Sequence, residues 1–412
     1  MKFSRSAVAV LVLAALSSQQ ALATNGAAMM AVGSQNTALG GTGVANFTGA
    51  DSAFANPAML AKSQGNEVTG GIVLFKPDVT NNGMGGSVAS SSANTSYIPD
   101  VSYSNRMSDS LTFGVAMAGI AGMGVDYTGA SASTHIKAKT ELSILHIVPT
   151  IAYNQANYGV GFSPVVQYGS LMISYNNYNP STLQGMDNNP SHKADSKTSM
   201  GYAFGGYFDV SPVLTLAASY SSEIKAKYGT QLSVAGQGFG LTGAAGTAMA
   251  AFGDDLNQPA QIKFGAAFAM SDAVKLTADY KSIQYGSAGG WKDFNWKNQT
   301  VVSVGAKYST GSYWIGAGYN HADNPIAVLG DTTYRNAVVD FFNNMMFPGI
   351  VKSSYTFGGG YTLSKEMDIE AAAVITPKVN TSVNVTKINA MLPANATSHA
   401  QSSYSVSLRY KF

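Results

Sequence analysis

Side chains capable of catalysis or metal binding are few in this sequence, and they are not arranged as a site. The five histidines lack the spacing of metal ligands: His135, His146, His192, His321 and His399. No Gly-x-Ser-x-Gly turn is present to carry a nucleophilic serine. The glycine-rich stretches GGTGV and GSAGG do not join a strand to a helix, as a phosphate loop requires. We therefore expect neither an enzyme nor a cofactor.

Three lysines are candidates for binding an anionic solute inside the molecule: Lys225, Lys263 and Lys307. A buried ammonium group can hold a carboxylate. The alternative is that these lysines pair with inward acids such as Asp279 and Glu370, or with the N-terminal segment. Arginine, which suits a bidentate carboxylate clamp, occurs only three times after residue 23. Neutral hydrocarbons therefore stay open as ligands beside fatty acids.

Two predicted long loops, at about 229–258 and 322–349, are unusually apolar. The second contains YRNAVVDFFNNMMF, whose pattern predicts an amphipathic helix. Methionine and phenylalanine suit a surface that accepts flexible apolar ligands. We predict that seven side chains in the loops capture such ligands: Phe239, Leu241, Phe252, Phe341, Phe342, Met345 and Met346. Alternatively, the two loops pack on each other and cap the molecule, and both roles are compatible.

The stretch SAFANPAML contains a rigid turn, Asn56-Pro57-Ala58, in a segment that is otherwise soft and rich in glycine. Proline fixes its own φ and keeps the preceding residue extended. Residues 24–65 mix small, glycine and scattered apolar residues, which favours a compact plug. A disordered leader is the alternative. We expect Asn56 to hydrogen-bond to strand backbone, beside the third strand of the fold.

The composition indicates that the exterior does not all face water. Charged residues make up 11% of the 412 residues, whereas soluble domains contain about 25%. Residues 1–23 have a basic start, a short apolar core and an Ala-Leu-Ala cleavage site, which predicts a secretory signal rather than an anchor helix. Without them, 22 basic and 22 acidic residues remain, so no nucleic-acid partner is implied. Cysteine is absent.

Alternation of apolar and polar residues recurs along nearly the whole chain. In SYSVSLRYKF, Tyr404, Val406, Leu408 and Tyr410 share one face, and polar residues fill the other. Fourteen such segments are separated alternately by short turns and long loops, the seventh at 212–228 and the tenth at 293–309. This pattern predicts an all-β fold, a transmembrane antiparallel β-barrel, over residues 66–412.

The third predicted strand, LTFGVAMAGIAGMGVDY, ends in three closely spaced glycines: Gly119, Gly122 and Gly124. Glycine inside a strand often marks a bulge or kink. We predict an irregularity of the wall here. The alternative is that these glycines only ease the transition into the following loop.

Several motifs together resemble the FadL/TodX family of outer-membrane transporters. They are LGGTGVA (39–45), Asp51, the Asn56-Pro57-Ala58 turn, PTIAYN (149–154), LAASYSSEIKAKYGT (216–230), FNWKNQTVVSVGAKY (294–308) and YTFGGGYTLS (355–364). The resemblance implies a fourteen-stranded barrel with an N-terminal hatch that carries the Asn-Pro-Ala turn. It further implies capture of hydrophobic molecules at the extracellular loops, binding in the lumen, and lateral release into the outer membrane near a kinked third strand.

We therefore expect a monomer in the bacterial outer membrane that contacts lipid and lipopolysaccharide and binds a fatty acid or hydrocarbon. The alternatives are a general diffusion porin and a non-transporting structural or adhesive barrel. A porin would show a charged constriction loop and no plug, and an adhesin would lack a continuous apolar path. The apolar loops and the N-terminal segment argue against the porin.

Overall fold

The fold is a closed antiparallel barrel whose outer face is apolar. A computed structural model describes residues 24–83, 87–130, 136–175, 177–179, 184–186, 193–243, 250, 252–390 and 394–412. The signal peptide predicted at 1–23 lies outside these residues. Within them, fourteen strands form the wall: β1 (Glu67–Asn81), β2 (Ser96–Arg106), β3 (Leu111–Asp126), β4 (Ala138–Gln155), β5 (Tyr158–Tyr175), β6 (Asp195–Ser211), β7 (Leu214–Ser221), β8 (Gln261–Ala269), β9 (Val274–Ile283), β10 (Gln299–Ser309), β11 (Tyr313–Ala322), β12 (Ser353–Thr362), β13 (Met367–Val383) and β14 (Asn395–Lys411).

Each wall strand pairs with the next, and β14 closes the barrel on β1, with Thr397 opposite Asn81 and Lys411 opposite Glu67. The predicted number of strands is confirmed. The connections alternate between short turns, such as 156–157 and 212–213, and long loops, such as 323–352. Within the described residues, none of the helices has the length and apolar character to span a bilayer.

Alternation along the strands turns the apolar side chains outward. On β14, Tyr404 is 49% exposed and Leu408 is likewise 49% exposed, while Ser405, Ser407 and Arg409 between and beside them are buried. This arrangement is the reverse of a soluble fold. It is the arrangement that a hydrocarbon surround stabilises, because lipid replaces water around the apolar face.

Two predicted strands extend well beyond the wall. β7 ends at Ser221, not at residue 228, because the chain leaves β6 there and bridges to another loop through Ile224 and Gln258. β10 begins at Gln299, not at residue 293, because Trp291–Phe294 form a 3-10 turn. In both places the sequence keeps an alternating or apolar pattern beyond the wall.

Shorter elements lie at the N-terminus and in the long loops. Residues Thr24–Asn25 and Ala28–Met29 pair as a small ladder, and 3-10 turns span Ala50–Phe54 and Pro57–Lys62. Two-residue and three-residue strands also occur at Ala89–Ser90, Asn177–Asn179 and Gln184–Met186. The helices are α1 (Ser34–Ala38), α2 (Gln231–Gly238) and α3 (Tyr334–Met346).

Candidate functional site

The N-terminal segment, residues 24–65, is bonded to side chains on the inner face of the wall. The Asp279 carboxylate on β9 accepts hydrogen bonds from the backbone amides of Gly43, at 2.8 Å, and Val44, at 3.0 Å. On β12, the Thr356 hydroxyl accepts from the Gly40 amide at 2.9 Å. Polar groups that the strand pattern turns away from lipid therefore satisfy the backbone of a segment with little regular structure.

The turn at Asn56 caps the 3-10 helix that follows it. The Asn56 Oδ1 accepts from the Ala58 amide at 3.0 Å, and Pro57 occupies the first helical position. The Asn56 Nδ2 donates to the carbonyls of Val44, at 2.8 Å, and Gly206, at 3.3 Å. Because Gly206 belongs to β6, the expected hydrogen bond from Asn56 to strand backbone is confirmed.

The expected position of this turn beside β3 is wrong, because the turn packs against glycines of β5 and β6. A Cβ added at Gly205 would lie 2.0 Å from the Asn56 Oδ1. One added at Gly161 would lie 2.4 Å from the carbonyl carbon of Pro57. Any larger residue at these two positions would displace the turn, so the wall and the turn fit each other closely.

A cavity of about 110 Å³ lies between the N-terminal segment and the wall. Its apolar lining includes Met29, Phe54, Ile120, Val148 and Ile224. Three charged side chains also line it: Lys263, Asp279 and Lys281. The N-terminal segment thus forms one side of the cavity, and strands β3 to β9 contribute much of the other.

The charged groups of the cavity already have partners in the N-terminal segment. Lys263 donates to the Phe54 carbonyl at 3.1 Å, and Lys281 donates to the Met30 carbonyl at 3.3 Å. Asp279 accepts the two amides described above. Each of these three charged groups is thus bonded to the N-terminal segment, and the rest of the lining is mainly apolar.

The wall is irregular on β3, next to this cavity. The β3–β4 register shifts between Gly119 and Ala121, so that Ile120 is left out of the ladder and lines the cavity. The β2–β3 ladder ends at Ala118. Beyond that point Ala28 of the N-terminal segment pairs with Ala121, and the Gly122 amide donates to the Ala27 carbonyl at 2.9 Å.

The three glycines of β3 that the sequence analysis singled out are all close to this irregularity. The bulge falls between Gly119 and Ala121, and Gly122 bonds the N-terminal segment. At Gly124 the wall itself is tight, since a Cβ there would lie 2.1 Å from the Thr140 carbonyl oxygen. The expected irregularity of β3 is thus present, while a role of these glycines in release stays a prediction.

The predicted inward lysines divide into two groups. Lys307 lies inside the barrel, where it bonds the Gln35 side chain of α1 and lies 5.1 Å from the Trp314 ring. Lys225 is exposed, and its prediction as a lumenal cation is wrong. The cause is the departure of the chain from the wall after Ser221, which turns Ile224 inward and Lys225 outward.

The seven apolar side chains predicted to capture ligand pack against one another beneath the long loops. Phe341, Phe342, Met345, Met346 and Leu241 are all 0% exposed, and Phe239 and Phe252 are at most 7% exposed. Ring centroids are 5.9 Å apart both for Phe239 with Phe341 and for Phe252 with Phe342. The described parts of the two loops therefore pack on each other and form a cap, which is the alternative that the sequence left open.

The predicted helix in the second loop, α3, is present, and it is buried on all sides from Ala337 to Met346. Its polar residues are satisfied inside the cap. Asp340 accepts from the amides of Leu329 and Gly330, each at 2.9 Å, and Asn343 donates to the Phe294 carbonyl at 2.7 Å. Burial raises the pKa of the Asp340 carboxyl, which those two amide bonds oppose.

Tyr285 is a contact that the sequence analysis missed. Its hydroxyl accepts from the amides of Ala27, at 2.9 Å, and Ala28, at 3.1 Å, and donates to the Asn25 carbonyl at 3.1 Å. The ring packs 4.9 Å from that of Trp296. The only hint of this contact in the sequence is that Tyr285 and Trp296 lie in a loop rich in glycine. Tyr285 holds the same stretch of the N-terminal segment that pairs with β3 at the bulge.

A second contact that the sequence analysis missed joins Arg409 to the N-terminal segment. Its guanidinium bonds the Thr48 carbonyl and lies 3.3 Å from the Glu370 carboxylate and 3.8 Å from that of Glu67. Glu67 accepts from the Ala50 amide at 2.5 Å. The strand pattern predicts that Arg409 and Glu370 face inward. It does not predict that Arg409 binds the N-terminal segment at Thr48.

The comparisons with known proteins agree with this architecture. The family model for outer membrane protein transport proteins (OMPP1/FadL/TodX) matches residues 12–412. A FadL homologue from Pseudomonas aeruginosa has 16% identity and a TM-score of 0.69, over 94% of this chain and 100% of the other. A search of curated proteins found no match.

Two solved toluene transporters are also similar in fold. TodX from Pseudomonas putida has 18% identity and a TM-score of 0.67, over 93% of this chain and 99% of the other. TbuX from Ralstonia pickettii has 16% identity and a TM-score of 0.64, with the same coverage. At these identities the structural likeness shows the fold alone, whereas the family match spans nearly the whole sequence. The chain therefore belongs to the OMPP1/FadL/TodX family, whose members are outer-membrane β-barrel channels for hydrophobic compounds and not enzymes.

Proposed function

We propose that this protein imports small neutral hydrophobic molecules, about the size of one aromatic ring, into the outer membrane. The observation that carries the proposal is the cavity at Ile120. It is small, it is mainly apolar, and it adjoins the point where the β2–β3 ladder ends. A cavity of about 150 Å³ is known to hold benzene, so about 110 Å³ is in the range of a single small ring.

The choice of a neutral molecule rests on the charges that line the cavity. Lys263 and Lys281 are occupied by carbonyl oxygens, and Asp279 is occupied by amides. A neutral ligand leaves these bonds unchanged, whereas a carboxylate ligand would lose its hydration, at a cost of several kcal/mol. The toluene transporters TodX and TbuX share the fold, which is consistent with a ring hydrocarbon.

The path has three stages in this proposal. The ligand first displaces the packed side chains of the loop cap, such as Phe342. It then occupies the cavity above the N-terminal segment, which acts as a hatch. It leaves sideways through the wall beside Gly119 and Gly122, once Ala28 separates from Ala121. Lateral release suits an apolar solute, because moving from a protein cavity into lipid avoids exposure to water.

The direct test is uptake by a strain that lacks the gene, with and without the protein restored. We expect the protein to accelerate uptake of radiolabelled toluene more than that of radiolabelled oleate. Equal rates with and without the protein for both compounds would sink the transport proposal. A preference for oleate would retain transport but overturn the proposed substrate class.

A further inference from the structure

The wall has a second break in its ladders, at the extracellular end of β6. The β6–β7 ladder runs only from Ser211 to Ala203, followed by one bond from the Ser222 amide to the Tyr202 carbonyl. Above that bond β6 continues to Asp195 and pairs only with β5 among the described residues. A groove of about 290 Å³ lies between this free edge and residues 225–229.

Lysines dominate the lining of this groove. Lys197 contributes from β6, and Lys225 and Lys227 contribute from the segment that has left the wall. Lys225 and Lys227 are exposed, whereas the residues that alternate with them are buried, so both lysines point away from the barrel interior. Thr198 and Ser199 add two hydroxyl groups. No carboxylate is among the lining residues that the structure describes.

The nearest acids leave most of this positive charge unpaired. Asp195 lies 3.6 Å from Lys197, and both side chains are partly exposed, so that this ion pair is weak. Asp255 is opposite Lys227 in a backbone bridge, but no ion pair joins them. Lys225 has no hydrogen bond or ion pair within the described residues.

The groove lies just above the apolar band of the barrel. Met200, two residues below Thr198 on β6, is 71% exposed, and Tyr202 is 45% exposed. The Tyr202 ring is 6.2 Å from that of Tyr220 on β7. Tyrosines at this position mark the membrane interface. Since strands rise about 3.3 Å per residue, the lysines are roughly 16 to 23 Å from this girdle along the chain, on its headgroup side.

We propose that this groove binds a phosphate group of lipopolysaccharide from the surrounding outer leaflet. Phosphate carries the negative charge and the acceptor oxygens that three ammonium groups and two hydroxyls would satisfy. The apolar surface around Met200 and Tyr202 contacts the acyl chains of the same lipid. This site is separate from the hydrocarbon path and independent of the proposed substrate, because none of its lining residues lines the cavity.

The test measures lipid A binding to the folded, full-length protein in detergent by native mass spectrometry, in magnesium-free buffer. The variant is Lys197→Gln with Lys225→Gln and Lys227→Gln. A matched control, Lys292→Gln with Lys297→Gln and Lys387→Gln, removes the same charge from other exposed loops. Heat-modifiable gel mobility reports folding of both proteins.

We expect the groove variant to bind bisphosphorylated lipid A on the order of a hundredfold more weakly, about fivefold for each lysine. The control should bind like the wild type, and lipid A stripped of its phosphates should bind all three proteins equally weakly. Equal losses in the two variants would overturn the site. Displacement of lipid A by an equal concentration of inorganic phosphate would also overturn it, since the groove would then be a small-anion site.

Discussion

The Lys263 ammonium lies 3.1 Å from the Phe54 carbonyl oxygen, two residues before the Asn56 turn, and it also lines the cavity. A cation in this position could bind a carboxylate ligand, but the Lys263 ammonium donates hydrogen bonds to the N-terminal segment. The bond to Phe54 and a longer one to the Ala55 carbonyl, at 3.4 Å, anchor this segment to β8. Lys263 therefore holds the proposed hatch against the wall.

Replacing this lysine separates the two roles. Lys263→Met removes an anchor of the N-terminal segment, so we expect toluene and oleate uptake to change together and the ratio of oleate to toluene uptake not to fall. A lysine that bound the substrate carboxylate would contribute about 1.5–3 kcal/mol, so its loss would cut oleate uptake about tenfold or more. Lys378→Met, on the exposed end of β13, is the matched control.

The Asn56 turn should matter for uptake more than for assembly. Asn56→Ala with Pro57→Ala removes three hydrogen bonds of about 1 kcal/mol each, which join the turn to Ala58, Val44 and Gly206. We expect toluene uptake to fall several-fold, since the segment that forms one side of the cavity is then no longer bonded to β6 through Asn56.

Heat-modifiable gel mobility would show whether the barrel of this double variant still folds. We expect normal mobility, because the wall strands keep all their ladders. Normal uptake by a folded barrel would reduce the turn to a structural detail.

Docking of the N-terminal segment should depend on pH through Asp51. This carboxyl is 2% exposed. Burial raises its pKa well above the usual range, Arg409 opposes this, and the carboxylates of Glu370, Asp100 and Glu67 add to it. Because the docked state binds the proton more tightly, its stabilisation is complete below the unfolded-state pKa of about 3.9, and is lost as pH rises through the docked-state pKa.

Hydrogen exchange of peptides covering residues 48–56 measures this dependence. We expect Asp51→Asn to exchange more slowly than the wild type at high pH and at a similar rate at low pH. The ratio of the two rates at each pH cancels the intrinsic pH dependence of exchange. A ratio that stays constant across the pH range would contradict the prediction.

The loop cap should depend on its buried aromatic rings. Phe342→Ala removes a ring that contacts Phe252 and Phe294, with a cost of about 3–5 kcal/mol to the packing of the cap. We expect trypsin added to intact cells to cleave the protein faster after Arg335, which lies on α3. Phe357→Ala removes an outward ring on β12 that is 53% exposed, so its cleavage should match the wild type. Equal cleavage of both variants would contradict a cap held by Phe342.

The strands were predictable because lipid imposes period two on each one separately. Along β14 the faces follow directly from the residue order, and the count of fourteen needs only the sum of such local patterns. The end of β7 was not predictable in this way. Ile224, Lys225, Ala226 and Lys227 keep alternating, but the side that faces inward changes after Ser221, where the chain loses its neighbour β6. That change depends on a strand partner distant in sequence.

For the N-terminal segment, the type of contact could be predicted from the sequence, but its position in the barrel could not. The Asn-Pro-Ala turn and its bond to strand backbone follow from the chemistry of Asn56 and Pro57. Its position depends on Gly161 and Gly205, whose missing side chains leave no local pattern. Similarly, the apolar loops indicated burial of Phe341 and Phe342, but not whether ligand or protein covers them.

In the proposed path, the N-terminal segment must separate from β3 for a hydrophobic molecule to pass. Ala28 and Ala121 face each other in the ladder, at a spacing that a disulfide can bridge, and the chain has no cysteine of its own. The lock is Ala28→Cys with Ala121→Cys. A control pair, Ala372→Cys with Ser405→Cys, joins two wall strands instead.

Toluene uptake is then measured for both pairs, oxidised and after addition of dithiothreitol. We predict that oxidation of the lock between positions 28 and 121 abolishes uptake, that reduction restores it, and that the control pair transports in both states. Undiminished uptake with the lock fully oxidised would show that the N-terminal segment need not separate from β3.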